Sequence, residues 1–251
     1  MIENTFILLD GIGYKTEKNL WRQGILHWDD FLGKEDIVGI SDNRKRNLDK
    51  ELELAKFHLD NEIPYYFSYK LGKREQWRLY EAFKDKTCYL DIETTSLSSY
   101  NGTTTALSIY DGSAVKTFVR GINLDRESLA EELSKYLMVV TFYGSAFDLP
   151  FIQHEFGVHF EVPHLDLCFA GRRIGLTGGL KNIEEQVGIG RKSDVKGMDG
   201  FEAARLWHRW QTLGDRASLD SLIQYNQADT VNLERLAELV YSKLKSLTFK
   251  V

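Results

Sequence analysis

The sequence predicts an α/β fold in which a mixed β-sheet is flanked by helices and follows a small all-α unit. From residue 87 onward, apolar segments and turn residues follow the order strand, strand, strand, helix, strand, helix. Before that, residues 1–60 carry helical spacing interrupted by glycine turns. We therefore expect a helical domain at 1–60, a connecting segment at 61–86 and an α/β domain at 87–251.

The composition is that of an ordinary globular protein. The chain has 251 residues, of which 43% are hydrophobic and 27% charged, enough for one large domain or for a small one beside a medium one. No apolar run approaches the roughly 18 residues of a membrane span, and no signal peptide is expected. The two cysteines, Cys88 and Cys168, lie far apart. We expect buried thiols, a cytoplasmic location and no membrane partner.

The net charge of −5 does not exclude a polyanionic partner, because nucleic-acid binding needs only a local basic patch. Cations bound to the acidic residues described below would also offset part of this charge. The net negative charge predicts weak non-specific DNA binding and good solubility.

A glycine turn, Asp10-Gly11-Ile12-Gly13, opens the helical unit. A helix over Thr16–Gln23 is expected after it, closed by Gly24. Two further helices are expected, one beginning at His27 and one capped by Ser41.

This turn, the helix after it and the segment that follows resemble a helix-hairpin-helix module. The resemblance implies that backbone N–H groups at the helix start approach a DNA phosphate, and the implied contact residues are Gly11, Gly13, Lys15 and Lys18. Only nine residues precede Asp10, so the usual first helix is short or absent. A packing module that binds nothing fits the same pattern, and both hypotheses stay open.

Aromatic residues mark the connecting segment. Pro64–Phe67 is expected to lie against the α/β domain, and a helix is predicted over Glu75–Phe83. Trp77, Tyr80 and Phe83 follow each other at spacings of three in that helix. Such a stripe usually belongs to a core, and base stacking is the alternative.

Alternating apolar residues and turn signals predict the elements of the α/β domain, with a hairpin turn at Asp111-Gly112. A further helix is expected to start near Ser145. The other expected elements are strands at Thr87–Glu93, Thr104–Tyr110, Val115–Val119 and Met138–Tyr143, and helices at Leu124–Leu137, Phe201–Trp210 and Ser218–Leu244.

Two carboxylates stand out at the end of the first of these strands. Side chains alternate between the faces of a strand, so Asp91 and Glu93 point the same way while Leu90 and Ile92 face the opposite layer. Like charges placed this close repel, and a divalent cation would remove the repulsion. Oxygen ligands of this type suit Mg²⁺ or Mn²⁺. Two solvated acids at a strand end are the alternative.

Further along, Phe147 and Asp148 place an acid in an apolar segment, and Tyr225 and Asp229 lie four residues apart on one helix face. The ordered motifs Asp-x-Glu, Phe-Asp and Tyr-x-x-x-Asp resemble the tyrosine subclass of the DEDD superfamily of 3′–5′ exonucleases, which have an RNase H-like fold. The histidine subclass would have histidine at the position of Gln224.

The surrounding segments resemble the predicted nucleases called YprB-like. They are Gly178-Gly179-Leu180-Lys181, Leu206-Trp207 and Tyr225-Asn226.

The resemblance implies that Asp91, Glu93, Asp148 and Asp229 bind two divalent cations, Mg²⁺ or Mn²⁺, while Tyr225 positions the attacking water. Together these five residues form the implied catalytic set. The implied reaction releases nucleoside 5′-monophosphates from the 3′ end of single-stranded nucleic acid, with DNA favoured over RNA and no small-molecule cofactor. An exoribonuclease that trims RNA and a silent DNA-binding or partner-recruiting module are the alternatives.

Several other residues are candidate nucleic-acid contacts. Near the acids these are Thr94, Tyr143 and Phe147, where Tyr143 departs from the asparagine that is usual in the DEDD family. A glycine-rich basic region adds Arg172, Arg173, Lys181, Arg191 and Lys192, which could hold a phosphate backbone or be solvated helix ends. We expect Asp166 to be structural, and the histidine spacing fits no zinc site.

Overall fold

The computed structural model describes residues 1–190 and 200–250. The strands are β1 (Thr87–Thr94), β2 (Thr104–Tyr110), β3 (Val115–Val119), β4 (Met138–Thr141) and β5 (His164–Asp166). The helices are α1 (Tyr14–Arg22), α2 (Trp28–Leu32), α3 (Asp42–Asp60), α4 (Pro64–Lys70), α5 (Arg126–Leu133), α6 (Asp148–Phe156), α7 (Leu167–Arg172), α8 (Leu180–Val187), α9 (Gly200–Leu213) and α10 (Arg216–Thr248). Short 3-10 helices lie at Ile2–Asn4, Lys73–Leu79 and Lys84–Lys86.

The five strands form one mixed sheet in the order β3-β2-β1-β4-β5. Strands β1, β2 and β3 are antiparallel neighbours, whereas β1, β4 and β5 run parallel. The predicted α/β fold with a mixed sheet flanked by helices is therefore confirmed. None of the described helices is long and apolar enough to cross a membrane.

The two faces of β1 pack against different layers. Leu90 and Ile92 face a cluster that includes Leu129 of α5 and Ile152 of α6. Tyr89 belongs to a second cluster, which includes residues of α10. This alternation confirms the predicted strand pattern. It also directs Asp91 and Glu93, which share the face of Tyr89, toward α10.

The N-terminal helices are joined to the α/β part by a continuous core. One apolar cluster contains Trp21 of α1, residues of the connecting segment and residues of the sheet and α10. The ring of Trp21 lies 5.0 Å from that of Phe249 at nearly a right angle, and the Met1 amino group donates to the Tyr241 hydroxyl at 3.2 Å. The boundaries at 60 and 86 stay a prediction, because this core crosses both of them.

Buried ionic groups reinforce the same junction. The guanidinium of Arg78 donates to both carboxylate oxygens of Glu17, at 2.8 and 3.1 Å. Its Nε donates to Glu75 at 2.8 Å. Arg78 and Glu17 are 0% and 1% exposed, so each charge depends on the other for compensation.

Some elements are shorter than the sequence predicts. The helix expected over Glu75–Phe83 is a 3-10 helix, Lys73–Leu79, followed by a turn. The side chains of Trp77, Tyr80 and Phe83 are buried, so the core interpretation is confirmed for them and base stacking is ruled out.

Two more boundaries are set by specific contacts. The helix predicted from Leu124 begins at Arg126, because the Asp125 carboxylate accepts from the Ser128 N–H and caps it. Strand β4 ends at Thr141, level with the last residue of its neighbour β5. The cysteines are buried free thiols, as predicted.

Candidate active site

Three carboxylates meet where β1 passes under α10. Asp91 and Glu93 extend the Tyr89 face of β1, and Asp229 comes from α10. Each residue supplies an oxygen to a group in which all such atoms lie within 4.8 Å of one another. Glu93 and Asp229 are buried and Asp91 is half-buried. The structure thus brings together the acids of the first and third motifs.

The electrostatics of this group fit a divalent cation. Burial raises the pKa of Asp91 well above its usual value, and the negative charges of Asp148, Asp229 and Glu93 raise it further. Burial raises the pKa of Glu93 in the same way, followed by repulsion from Asp229 and Asp148, while Lys181 acts in the opposite direction. A divalent cation held by these oxygens would remove the repulsion, and an all-oxygen donor set suits Mg²⁺ or Mn²⁺.

Asp148 approaches the site from the opposite layer. It is the first residue of α6, and its Oδ1 accepts a hydrogen bond from the Ile92 N–H of β1 at 3.2 Å. Burial raises its pKa to about 7. It lies outside the group of three, but its charge raises the pKa values of Asp91 and Glu93. The structure therefore places all four acids at one end of β1.

Tyr225 lies one helical turn before Asp229 on α10, so both side chains are on the same face of that helix. Burial raises the pKa of Tyr225, and the negative charges of Asp229, Glu93 and Asp91 raise it further. The Nζ of Lys181 lies 4.6 Å from the centre of the Tyr225 ring. Lys181, in the first turn of α8, thus faces the acids and the tyrosine together.

Asn226 is a site residue that the motifs did not single out. Its Nδ2 donates to Oδ2 of Asp91 at 2.7 Å and to the Asp91 carbonyl at 3.2 Å. The side chain is fully buried, and its Oδ1 has no hydrogen-bond partner within the described part of the chain. Asn226 fixes one oxygen of Asp91. The only sequence signal was its place beside Tyr225, since the partner lies 135 positions away.

Asp166 organises the loop between β4 and α6. Its carboxylate accepts from the backbone N–H groups of Tyr143, Ser145 and Cys168, at 2.9, 3.0 and 3.0 Å. It also accepts from the Ser145 hydroxyl at 2.6 Å. These four bonds agree with the predicted structural role of Asp166. His164 lies beside it, hydrogen-bonded to Thr141 at 2.8 Å, with its pKa lowered to about 4 by burial.

The candidate contacts near the acids differ in exposure. Tyr143 is 45% exposed and adopts a left-handed backbone with φ of 65°, which is uncommon for a bulky residue. Phe147 is partly buried, with its ring 4.9 Å from that of Phe151. The Thr94 hydroxyl donates to the Ser96 carbonyl at 2.7 Å. Of the three, Tyr143 has the side chain most open to a ligand.

The N-terminal candidates surround the start of α1. Gly11 has φ of 73°, and its carbonyl accepts from Arg44 at 2.8 Å. Gly13 precedes the first residue of α1 with an extended backbone, and Lys15 and Lys18 are exposed. This arrangement leaves a glycine turn at a helix start, and phosphate binding there stays a prediction.

The basic candidates of the glycine-rich region have different surroundings. Arg172 is exposed, with its guanidinium 5.2 Å from the centre of the Phe169 ring. Arg173 donates to the Arg74 carbonyl at 2.7 Å and pairs with Glu75 at 3.2 Å. Arg191 and Lys192 lie outside the described residues.

We compared the sequence and the fold with known protein families and solved structures. A family profile for the RNase H superfamily matches residues 88–241. No curated protein matches the chain.

Among solved structures, the family B DNA polymerase of the hyperthermophilic archaeon Pyrobaculum calidifontis has a TM-score of 0.50 and 16% identity. The match covers 64% of this chain and 25% of the polymerase, so the chain spans about a quarter of that protein. At this identity the similarity concerns the fold alone.

Two further structures match with lower TM-scores. A nuclease in its apo form has a TM-score of 0.48 and 19% identity, over 69% of this chain and 78% of that one. Brucella melitensis NrnC has a TM-score of 0.49 and 18% identity, over 66% and 77%.

The matched profile covers more than half of the sequence, and it includes the acids of the site and the five described strands except Thr87, the first residue of β1. The predicted RNase H-like fold is confirmed. The chain belongs to the RNase H superfamily.

Proposed function

We propose that this protein is a metal-dependent 3′–5′ exonuclease that hydrolyses single-stranded nucleic acid, with DNA favoured, and releases nucleoside 5′-monophosphates. One observation carries the proposal. Oxygens of Asp91, Glu93 and Asp229 lie within 4.8 Å of one another, and Tyr225 lies beside Asp229, whose negative charge raises the pKa of the phenol. Three buried carboxylates that repel one another destabilise the fold unless a cation binds them. Apolar residues at the same positions would make the fold more stable.

The four acids divide into two sets of ligands in this proposal. Asp91, Glu93 and Asp229 would hold one cation, and Asp91 with Asp148 would hold a second. Divalent cations supply a nucleophile by lowering the pKa of water, and they neutralise charge on both the attacking and leaving oxygens of a phosphodiester. Asn226 keeps Asp91 oriented for both positions, because it donates to one carboxylate oxygen at 2.7 Å.

Tyr225 orients the attacking water and does not remove its proton. Its pKa is raised by burial and by the surrounding carboxylates, so the phenol stays protonated at neutral pH. A protonated hydroxyl can donate to Asp229 and accept from a water at the same time. Its position between Asp229 and Lys181 supports this role.

Lys181 supplies positive charge on the substrate side of the site. Its Nζ lies over the Tyr225 ring at 4.6 Å, and its charge acts on Glu93. An ammonium at this position would attract the phosphate of a substrate toward the acids. The preference for a 3′ end follows from the similarity of the ordered motifs to the DEDD exonucleases, and the preference for DNA from the helix-hairpin-helix-like turn.

The test is digestion of a 5′-labelled single-stranded DNA and of the matching RNA, with Mg²⁺, Mn²⁺ or EDTA, resolved on a sequencing gel. We expect a ladder that shortens from the 3′ end, that EDTA abolishes, and that is faster for DNA. A faster RNA ladder would favour the exoribonuclease. Absence of cleavage in every metal, with DNA still bound, would indicate the silent binding module.

A further inference from the structure

A cavity lined in part by Ser145, in the loop that precedes Asp148, is not used by the proposed chemistry. It has a volume of about 370 Å³ and lies where the segment Lys73–Leu79 meets β5 and α7. Its wall is formed by Trp77, Leu165 and Ala170, with Phe169 at 43% exposure. This size and a mostly apolar wall are typical of small-ligand pockets.

The rim of this cavity is cationic. Lys73 and Arg74 line it and are exposed, and neither side chain forms an ion pair or hydrogen bond with any residue in 1–190 or 200–250. Arg173 also lines the cavity, although its guanidinium is engaged by Glu75. Two uncompensated cations at the mouth of an apolar pocket favour an anionic ligand with an apolar part.

The acidic group in the wall does not cancel this charge. Asp166 lines the cavity, but its two oxygens already accept four hydrogen bonds from the loop before α6 and from Cys168. His164 also lines it, and burial keeps its pKa near 4, so it is neutral at physiological pH. The cavity therefore has a net positive rim.

Two aromatic rings extend from the cavity to the loop that precedes Asp148. The ring of Phe169 lies 5.8 Å from that of Tyr143 at an angle of 36°, and Tyr143 is itself 45% exposed. Ser145, in the cavity wall, lies in the loop before α6, three residues ahead of Asp148. A nucleotide chain that runs from the loop before α6 into the cavity would meet Tyr143 and Phe169, and Lys73 and Arg74 line the same cavity.

We propose that this cavity is a subsite for single-stranded nucleic acid, which holds a nucleotide upstream of the scissile phosphate. The base stacks on Phe169 and Tyr143, and Lys73 and Arg74 bind the phosphate beyond it. The inference rests on the proposed nuclease function. It predicts that the subsite raises kcat/KM for substrates of several nucleotides. A substrate with one nucleotide does not reach the subsite, so its kcat/KM does not depend on it.

The experiment compares two substrates in the wild type and in the double variant Lys73→Ala/Arg74→Ala. One substrate is a single-stranded hexanucleotide, and the other is thymidine 5′-(4-nitrophenyl phosphate), which occupies only the site of cleavage. We expect kcat/KM for the hexanucleotide to fall about tenfold or more, and kcat/KM for the nitrophenyl ester to change by less than about twofold. The matched control is Arg46→Ala/Lys243→Ala, which removes the same charge from exposed helix positions.

A second pair of variants tests stacking. Phe169→Ala should weaken binding of a fluorescent hexanucleotide in EDTA about fivefold or more, and Phe169→Tyr should restore it, because base stacking needs only an aromatic face. This binding readout does not depend on cleavage. It supports or overturns the subsite even if no substrate is cut.

The outcomes separate the two proposals. If the wild type cleaves neither substrate, the proposed function fails, and the binding arm alone decides on the subsite. If the wild type cleaves both and the Lys73/Arg74 variant keeps its full rate on the hexanucleotide, the subsite is overturned and the exonuclease stands. An equal loss on both substrates would also overturn the subsite, because it would place these residues within the cleavage site.

Discussion

Asp91 is the residue on which most interactions of the site converge. It belongs to the candidate metal-binding group with Glu93 and Asp229, the charge of Asp148 repels it, and Asn226 donates a hydrogen bond to one of its oxygens. Its side chain contributes charge and not apolar packing. Substitution of Asp91 should therefore change nuclease activity with less effect on the stability of the fold than substitution of a core residue.

The variant Asp91→Asn should lose nuclease activity by about 100-fold or more, because it removes the charge shared by both proposed cation positions. Its melting temperature without metal should not fall, since a carboxylate with a raised pKa is replaced by a neutral amide. Digestion of labelled DNA and thermal melting measure the two effects. Asp220→Asn, an exposed change on α10, is the control. Normal digestion by Asp91→Asn would show that the site is assigned wrongly.

The variant Tyr225→Phe should lower kcat by about 10- to 100-fold, the scale expected when a reacting water loses its orientation. The affinity for Mg²⁺ should stay nearly unchanged, because the phenol is not proposed as a ligand. Steady-state kinetics and a Mg²⁺ titration measure the two quantities. An unaltered kcat would remove the water-positioning role.

The variant Asn226→Ala should weaken Mg²⁺ binding about 10- to 100-fold, as expected when a hydrogen-bond partner of a ligand is lost. The reason is that Asp91 would lose the donor at 2.7 Å that fixes its Oδ2. Isothermal titration of Mg²⁺ into the variant and the wild type provides the measurement. Equal affinities would show that the fold alone orients Asp91.

At the scale of elements, three elements bring the acids of the site together: β1, the start of α6, and α10, which packs across β1. Strand β1 presents Asp91 and Glu93 on one face, α10 brings Asp229 to that face, and α6 starts with Asp148 against the Ile92 N–H. Each element brings negative charge into a buried region. The packing of these elements without a cation is therefore opposed by electrostatics.

This opposition predicts a dependence of stability on pH. Asp148 has its pKa raised from 3.8 to about 7, so between those values the folded state holds a proton that the unfolded state has released. Stability of the metal-free protein should therefore fall as pH rises from about 4 to 7. Thermal melting in EDTA across this range, compared with Asp148→Asn, measures it. Added Mg²⁺ should raise the melting temperature more at pH 8 than at pH 5.5, and the reverse order would contradict the assignment of the site.

At the scale of the whole molecule, the N-terminal helices and the α/β part share one core. Arg78 in the connecting segment forms a buried ion pair with Glu17 of α1, and the apolar cluster continues from Trp21 to residues of α10. Separate unfolding of the front unit would expose this core and leave buried charges without partners. We therefore expect the chain to unfold as one unit.

The variant Arg78→Ala should destabilise the whole protein by about 3–5 kcal/mol, because it leaves Glu17 buried without its counterion. The control Arg216→Ala, which removes an exposed pair with Asp220, should cost less than about 1 kcal/mol. Urea denaturation followed by fluorescence and by circular dichroism measures both. Two separate transitions in the wild type would show that the front unit is independent.

The sequence by itself determined the features that depend on local periodicity. The two-residue period of β1 put Asp91 and Glu93 on one face, and the spacing of four put Tyr225 with Asp229. Hairpin turns and strand spacing likewise predicted four of the five strands in the described residues, whereas the short strand β5 was not predicted.

Contacts between distant segments were decided only by the tertiary structure. Asn226 meets Asp91 across 135 positions, and Asp148 enters from the opposite layer. The cavity joins Lys73 and Arg74 to Phe169, and the Arg78–Glu17 pair unites the front helices with the rest. The physical reason is that such contacts depend on how complete elements pack, and packing sums many weak interactions that no short stretch of sequence contains.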